Sequence, residues 1–261
     1  MARRKGTDGP DSLVGTQNDD RITGGGGNDT LEGAEGNDFI VGGEGDDRIA
    51  GGGGIDTVSY GGLADDQGVL LSLRDGTASG TDGTDLLLSI ENVSGSQYAD
   101  DITGDAEENL LNGKGGNDTL RGAGDDDVLI GGLDDDGLFG GNGMDTLWGG
   151  KGQDVLVGGA AADTFFYRNL GSARGELIGD LTNEDVIDLS GIDADITTDG
   201  DQAFTLVDQF TGTPGELVMR IRFVDEDVGV TVIRGDVDGD GNKDFEIQAS
   251  GEHLDFTNFV L

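Results

Sequence analysis

From Gly15 onward an apolar residue returns at every ninth position: Ile22, Leu31, Ile40, Ile49 and Val58. After a break the series resumes at Ile102, Leu111, Leu120, Leu129, Leu138, Leu147, Leu156 and Phe165. Neither the 3.6-residue period of a helix nor simple strand alternation gives this spacing. It marks a tandem unit of nine residues. Gly holds the first place in all 13 units, and Asp holds the sixth in all but one, where Asn109 stands. Gly and Asp alone set the phase, so the apolar eighth position is an independent regularity.

The unit predicts its own local structure. Six residues rich in Gly and Asp favour a tight turn, because Gly adopts backbone angles closed to other residues. Three residues then form a short strand whose middle side chain, the eighth, points inward while its neighbours point out. Two units complete a coil. Stacked coils pair their strands in parallel and enclose a thin apolar core between two sheets. One coil cannot bury its own face, so stability comes from its neighbours. The expected class is all-β, a parallel β-roll built from residues 15–59 and 95–166. Residues 1–14 are expected as a tail. Residues 60–94 break the period and are expected as a β-rich spacer that keeps the roll going or caps the first block. Within it Val69, Leu71 and Leu73 alternate as in a strand, Arg74-Asp75-Gly76 reads as a turn, and Leu86 to Val93 as a second strand.

Composition changes the picture. The chain has 261 residues, 52 of them Gly, with 54 acidic residues against 15 basic ones and a formal net charge of -39. Such a chain repels itself and buries little apolar surface, and composition alone favours a disordered linker. The phase-locked apolar position argues against that reading, so something must offset the charge, and divalent cations do so. Few scattered basic residues argue against nucleic acid as a partner. The absence of Cys excludes disulfides and thiolate chemistry. No apolar run reaches membrane-spanning length. Arg3, Arg4 and Lys5 are not followed by the apolar stretch of a Sec signal peptide.

Stacked turns place carboxylates and backbone carbonyls in rows along the two edges of the roll. These are hard oxygen donors, which suit Ca²⁺ with its six to eight flexible contacts; zinc prefers His and Cys, and magnesium demands stricter geometry. The candidate carboxylate ligands are Asp20, Asp29, Asp38, Asp47, Asp56, Asp100, Asp118, Asp127, Asp136, Asp145, Asp154 and Asp163. The candidate carbonyl donors in the first block are Gly24, Gly25, Gly27, Gly33, Gly36, Gly42, Gly43, Gly45, Gly51, Gly52 and Gly54. In the second they are Gly113, Gly116, Gly122, Gly124, Gly131, Gly132, Gly140, Gly141, Gly143, Gly149, Gly150 and Gly152. Five and eight turns divided between two edges allow roughly nine inter-turn ions. The units GTQNDDRIT, GSQYADDIT, GDAEENLLN and GGLDDDGLF depart most from the pattern. GGGGND also resembles a phosphate loop, but repeated turns ending in Asp would repel phosphate.

The unit reads GGxGxDxUx, with U apolar, and so resembles the RTX (hemolysin-type) calcium-binding repeat. That resemblance implies a parallel β-roll, calcium in the turns, and secretion to the extracellular space through type I secretion machinery. After Phe166 Gly thins out. The order of Asn183 to Ser190, Phe204-Thr205-Leu206, Thr231 to Asp236, Asp244 to Ile247 and Phe259-Val260-Leu261 is similar to the C-terminal domain of serralysin-type metalloproteases. The similarity implies that residues 167–261 cap the roll and carry an uncleaved secretion signal. Where that signal has an acidic residue before its final apolar ones, this chain has Asn258. Asp236, Asp238 and Asp240 begin like an EF-hand loop, but Ile247 holds the twelfth place and Glu246 falls one early, so the segment reads as an acidic turn.

The expected function is that of a non-catalytic, secreted calcium-binding protein that folds when it binds Ca²⁺. With His253 as its one histidine, the chain has no HExxH zinc site, and it has no G-x-S-x-G nucleophile elbow. Two alternatives stay open: the C-terminal part of a larger exported metalloprotease, or a module that binds extracellular polysaccharide through Trp148, Phe139 and Phe166.

Overall fold

The computed structural model describes every residue except 63–66, 81, 199–201 and 226–227. Successive strands alternate between two sheets, of 11 and 15 strands among the described residues. Arg21–Gly26 lies in the first sheet, Thr30–Glu35 in the second, Phe39–Glu44 in the first and Arg48–Gly53 in the second. Within each block a strand pairs in parallel with the strand two units away, at an offset of eighteen residues: Ile22 with Ile40, Leu31 with Ile49, Leu129 with Leu147, Leu138 with Leu156. The chain is thus a parallel β-roll.

The core follows from the same register. All thirteen eighth-position side chains marked by the nonapeptide phase are fully buried and stack on their counterparts above and below. Burying one such Leu or Ile contributes about 1.5–3 kcal/mol, and no residue outside the two inner faces is needed to build the stack.

Residues 1–14 are not a tail. Arg3–Lys5 pairs with Arg21–Gly26 in the first sheet, and Ser12–Val14 pairs with Thr30–Glu35 in the second. Gly6, Asp11 and Leu13 hold the first, sixth and eighth places of a further nonapeptide in the same phase as the rest, and Leu13 packs against the core. The roll therefore includes this unit.

The spacer continues both sheets. Val69, Leu71 and Leu73 face inward as their alternation requires. The stretch Leu86 to Val93, expected as one strand, is two. Gly83–Leu88 belongs to the second sheet and places Leu87 beside Ile49, while Asn92–Ser94 belongs to the first and places Val93 between Val58 and Leu111. The chain changes sheets at Ser89, which has φ 50°. Leu70–Ser72 and Thr77–Gly80 pair antiparallel, and Thr77–Gly80 pairs antiparallel with Gly83–Leu88, so an inserted hairpin widens the second sheet.

Beyond Phe166 the offset between paired strands grows from eighteen to twenty-two residues: Val155 faces Leu177 and Thr164 faces Val186. The added residues include a short 3₁₀ turn, Leu170–Ala173, capped by Asn169. Glu216–Asp225, Val228–Asp236 and Phe245–Ser250 then extend the second sheet as an antiparallel set. Edge-to-face ring pairs, Phe204 with Phe245 at 5.6 Å and Phe256 with Phe259 at 5.0 Å, fill the end of the core. Leu138→Ala is expected to lower folding stability by about 2–5 kcal/mol. Val155→Thr, on an exposed outer face, should change it by less than about 0.5 kcal/mol. Denaturant midpoints measured in calcium compare the two.

Candidate metal centre

The six-residue turns bring the sixth-position aspartates into two rows, one along each edge, and all but the half-buried Asp11 are buried. Each is anchored by half of its carboxylate. The backbone N–H of one Asp donates to Oδ1 of the Asp eighteen residues on, as in Asp29 to Asp47 at 2.8 Å, Asp38 to Asp56 at 2.7 Å, Asp118 to Asp136 at 2.8 Å and Asp136 to Asp154 at 2.9 Å. The other oxygen is different. Oδ2 of Asp29, Asp38, Asp47, Asp56, Asp118, Asp127, Asp136, Asp145 and Asp154 is buried without a hydrogen-bond partner. Leaving a buried charged oxygen unmatched is costly.

The first-position glycines show what surrounds these oxygens. A Cβ on Gly24, Gly33, Gly122, Gly131 or Gly140 would lie under 3.0 Å from two oxygens: Oδ2 of the Asp in the same turn, and the carbonyl oxygen of the Gly eighteen residues on. Carboxylate and carbonyl oxygens from two coils therefore converge on a space that only a glycine leaves open. The second-position glycines Gly25, Gly43, Gly52, Gly132, Gly141 and Gly150 have positive φ, as do fourth-position Gly27, Gly36, Gly45, Gly54, Gly116, Gly143 and Gly152. Gly124 is instead a third-position residue, and Asp125 takes the fourth place with φ 62°.

The rows continue where the nonapeptide phase stops. One edge carries Asp20, Asp38 and Asp56, then Glu91, Asn109, Asp127, Asp145, Asp163 and Asp185. The other carries Asp11, Asp29, Asp47 and Asp85, then Asp100, Asp118, Asp136, Asp154 and Glu176. Asp85 Oδ1 accepts from the Asp47 amide at 2.9 Å, Glu91 Oε2 from Asp56 at 2.7 Å, Glu176 Oε2 from Asp154 at 3.3 Å and Asp185 Oδ1 from Asp163 at 2.9 Å. Sequence reasoning missed these four because their spacings are set by the inserted hairpin and by the wider last coil, not by nine. Asp11 was within reach of the period.

Burial, reinforced by neighbouring carboxylates and opposed by the backbone amide, pushes Asp118 up to about 8. The same causes push Asp47, Asp127, Asp136 and Asp163 to about 7 and Asp56 to about 6. Glu176, buried beside Asp154, is pushed to about 9. Asp20 lies below the ordinary carboxylate range, held there by the Ala2 amide and by the hydroxyl and amide of Thr16. A site made only of carboxylate and carbonyl oxygens, with orphaned anionic oxygens at its centre, fits calcium.

The model of the RTX calcium-binding nonapeptide repeat matches residues 5–40, 23–58, 32–67, 90–120, 103–138 and 139–168, together more than half of the chain. The chain belongs to the RTX calcium-binding repeat family. Its cofactor is Ca²⁺. No curated protein matches the RTX chain in sequence. Among solved structures, the extracellular lipase LipA from Serratia marcescens is similar at 20% identity and a TM-score of 0.29, over 97% of this chain and 40% of that one.

Two other sequence features of the RTX chain take definite places. Asp236, Asp238 and Asp244 bring carboxylate oxygens within 4.8 Å of one another. Asp236 is buried and accepts from Gly239 and Gly241, and Asp244 accepts from Val237, so this acidic turn holds itself through backbone amides. Trp148 and Phe166 meet edge to face at 6.1 Å on the first sheet, with Arg168 over the Trp148 ring, whereas Phe139 lies on the second sheet beneath Arg121. The three aromatics do not share a surface. His253 makes a ring-nitrogen hydrogen bond with the Ser250 carbonyl at 2.6 Å.

The raised carboxylates set a pH dependence for the metal-free chain. Their folded-state values lie above the ordinary value of 3.8. Their contribution to stability is therefore fully present below about 4 and lost as pH rises through about 6 to 8. In excess chelator, the strand signal in circular dichroism is expected to grow as pH is lowered from about 8 towards 4.

Proposed function

We propose that this RTX chain is a non-catalytic, secreted calcium-binding protein that leaves the cell unfolded through type I secretion machinery and folds outside on binding Ca²⁺. The observation that carries the reading is the set of nine buried Oδ2 atoms without partners. Without an ion, each coil adds carboxylates to a row that already repels itself, on a chain of net charge -39. With an ion between coils, the same carboxylates become the contact that joins them.

Magnitudes favour a switch. Calcium at tenfold its dissociation constant stabilises the folded form by about 1.4 kcal/mol per site, and several sites give on the order of 10 kcal/mol, comparable to a whole domain's stability. Extracellular modules bind with constants of about 10⁻⁴ to 10⁻³ M, so at cytosolic calcium this contribution vanishes. Metal binding and folding are then one process. An unfolded chain threads a secretion channel, and the calcium outside traps it once it has passed. In this reading residues 167–261 carry the secretion signal and close the end of the roll through the antiparallel set around Phe245.

The non-catalytic role is supported by what the buried acids do. The carboxylates of the rows each hold a backbone amide of the preceding coil, which is a structural task, and His253 is bound to a carbonyl of its own loop. The polysaccharide reading gains nothing from the geometry, since Trp148 and Phe139 face opposite ways. Circular dichroism at neutral pH tests the proposal. The chelated chain is expected to give a disordered spectrum and millimolar calcium a strand-rich one, reversibly; a chelated sample already rich in strand overturns it.

A further inference from the structure

The nonapeptide turns fall into two backbone classes. In ten of them the second residue has φ between +82° and +121°. Most of these residues are Gly, but Ala34, Lys114 and Ala123 share the conformation, although it is unfavourable for a residue with a Cβ. In nine of these ten turns the sixth-position Asp has an orphaned, buried Oδ2.

The remaining four turns begin at Gly6, Gly15, Gly95 and Gly104, and their second residues are Thr7, Thr16, Ser96 and Asp105. None of these has positive φ. Instead the turn closes on itself. The Thr7 amide and hydroxyl both donate to Asp11 Oδ2, at 2.6 and 2.9 Å. Thr16 does the same to Asp20 Oδ2, at 2.6 and 2.8 Å. The Ser96 amide donates to Asp100 Oδ2 at 2.7 Å and its hydroxyl to Oδ1 at 2.8 Å. In the fourth turn the Asp105 amide donates to Asn109 Oδ1 at 2.8 Å, and the sixth residue carries no charge at all. Thr, Ser and Asp are the residue types that bond their own turn in place of the repeating backbone pattern. In these four turns the sixth side chain has no buried oxygen left without a partner.

Their position is systematic. Each block has two edges, and on every edge of both blocks the first turn is a self-closed one; the turns that follow are open. We propose that the second residue of each nonapeptide decides whether its turn takes a cation, so that the turns of Thr7, Thr16, Ser96 and Asp105 are closed by hydrogen bonds, bind no ion of their own, and start each row of calcium sites. This rests on the calcium reading above and deepens it. The amide of the second residue, joined by the hydroxyl in the turns of Thr7 and Thr16, occupies the oxygen that an ion takes elsewhere. Each row then begins on a turn whose charge is already met, and the first ion is shared between two open turns. Asp20 and Asp100, which the sequence places among the ligands, fall outside the ion-holding set.

Exchange of the deciding residues tests this, with bound calcium counted by native mass spectrometry at saturating calcium. T16G/N18G and S96G/Y98G give their turns the open pattern, and each is expected to bind one ion more than the unaltered chain. G43T/G45N gives an open turn the closing residues and is expected to bind one fewer while keeping its strand signal in calcium. If the two opening variants keep the original count, the proposal is overturned, whatever becomes of the closing variant. A retained count in a folded G43T/G45N overturns it as well. An unaltered chain that binds no calcium would instead remove the calcium reading beneath it.

Discussion

Everything in this molecule depends on how a row of like charges is held together. Stacking places one carboxylate above another, coil after coil, at the spacing of adjacent strands, about 4.8 Å. The backbone meets half of the demand: each Asp accepts an amide from the coil two units before it, which fixes its orientation and leaves one oxygen facing the next turn. In the turns with an orphaned Oδ2 no hydrogen bond meets the other half, since the neighbouring groups are carbonyls and carboxylates. The apolar stack of eighth-position residues holds the two sheets together, but it is one side chain thick and acts against that repulsion along both edges. The core therefore needs the edges to be neutralised, and the edges need the core to keep their oxygens in register.

Much of this was legible in the sequence. The phase of Gly, Asp and the apolar residue specified strand, turn and inward side chain together, and the thirteen residues it marked are the buried stack. Three features were not legible, each for a physical reason. Gly6, Asp11 and Leu13 carry the period, but the neighbouring basic residues gave the first fourteen positions the look of a tail. The segment from Leu86 to Val93 is continuous in hydrophobicity and divided in space, because Ser89 turns the chain from one sheet to the other. Asp85, Glu91, Glu176 and Asp185 join the rows through folding alone: spacings of 35, 38 and 22 residues carry no periodic signal, and only the paired backbone shows that they are rungs.

The irregular units have a meaning that composition could not supply. GTQNDDRIT, GSQYADDIT and GDAEENLLN look like weakened copies of the pattern. In the structure each is a complete turn of another kind, with its own donors and its own backbone angles. GGLDDDGLF, which looks as irregular, is an open turn with Asp134 at φ 73° in the fourth place. What separates the two classes is whether the second residue donates a hydrogen bond to the sixth side chain, not the number of glycines.

Within each block of nonapeptides the constant offset of eighteen residues between paired strands has a kinetic consequence. Every new coil closes a loop of the same short length onto the coil before it, so the entropy lost per step does not grow as the roll lengthens. Contacts stay local in sequence however long the array becomes, the condition under which chains find their partners quickly. Growth can then run as a front along the rod from any coil that has already formed. The wider twenty-two-residue coil after Phe166 and the antiparallel strands beyond it require longer closures, and such a front would slow there.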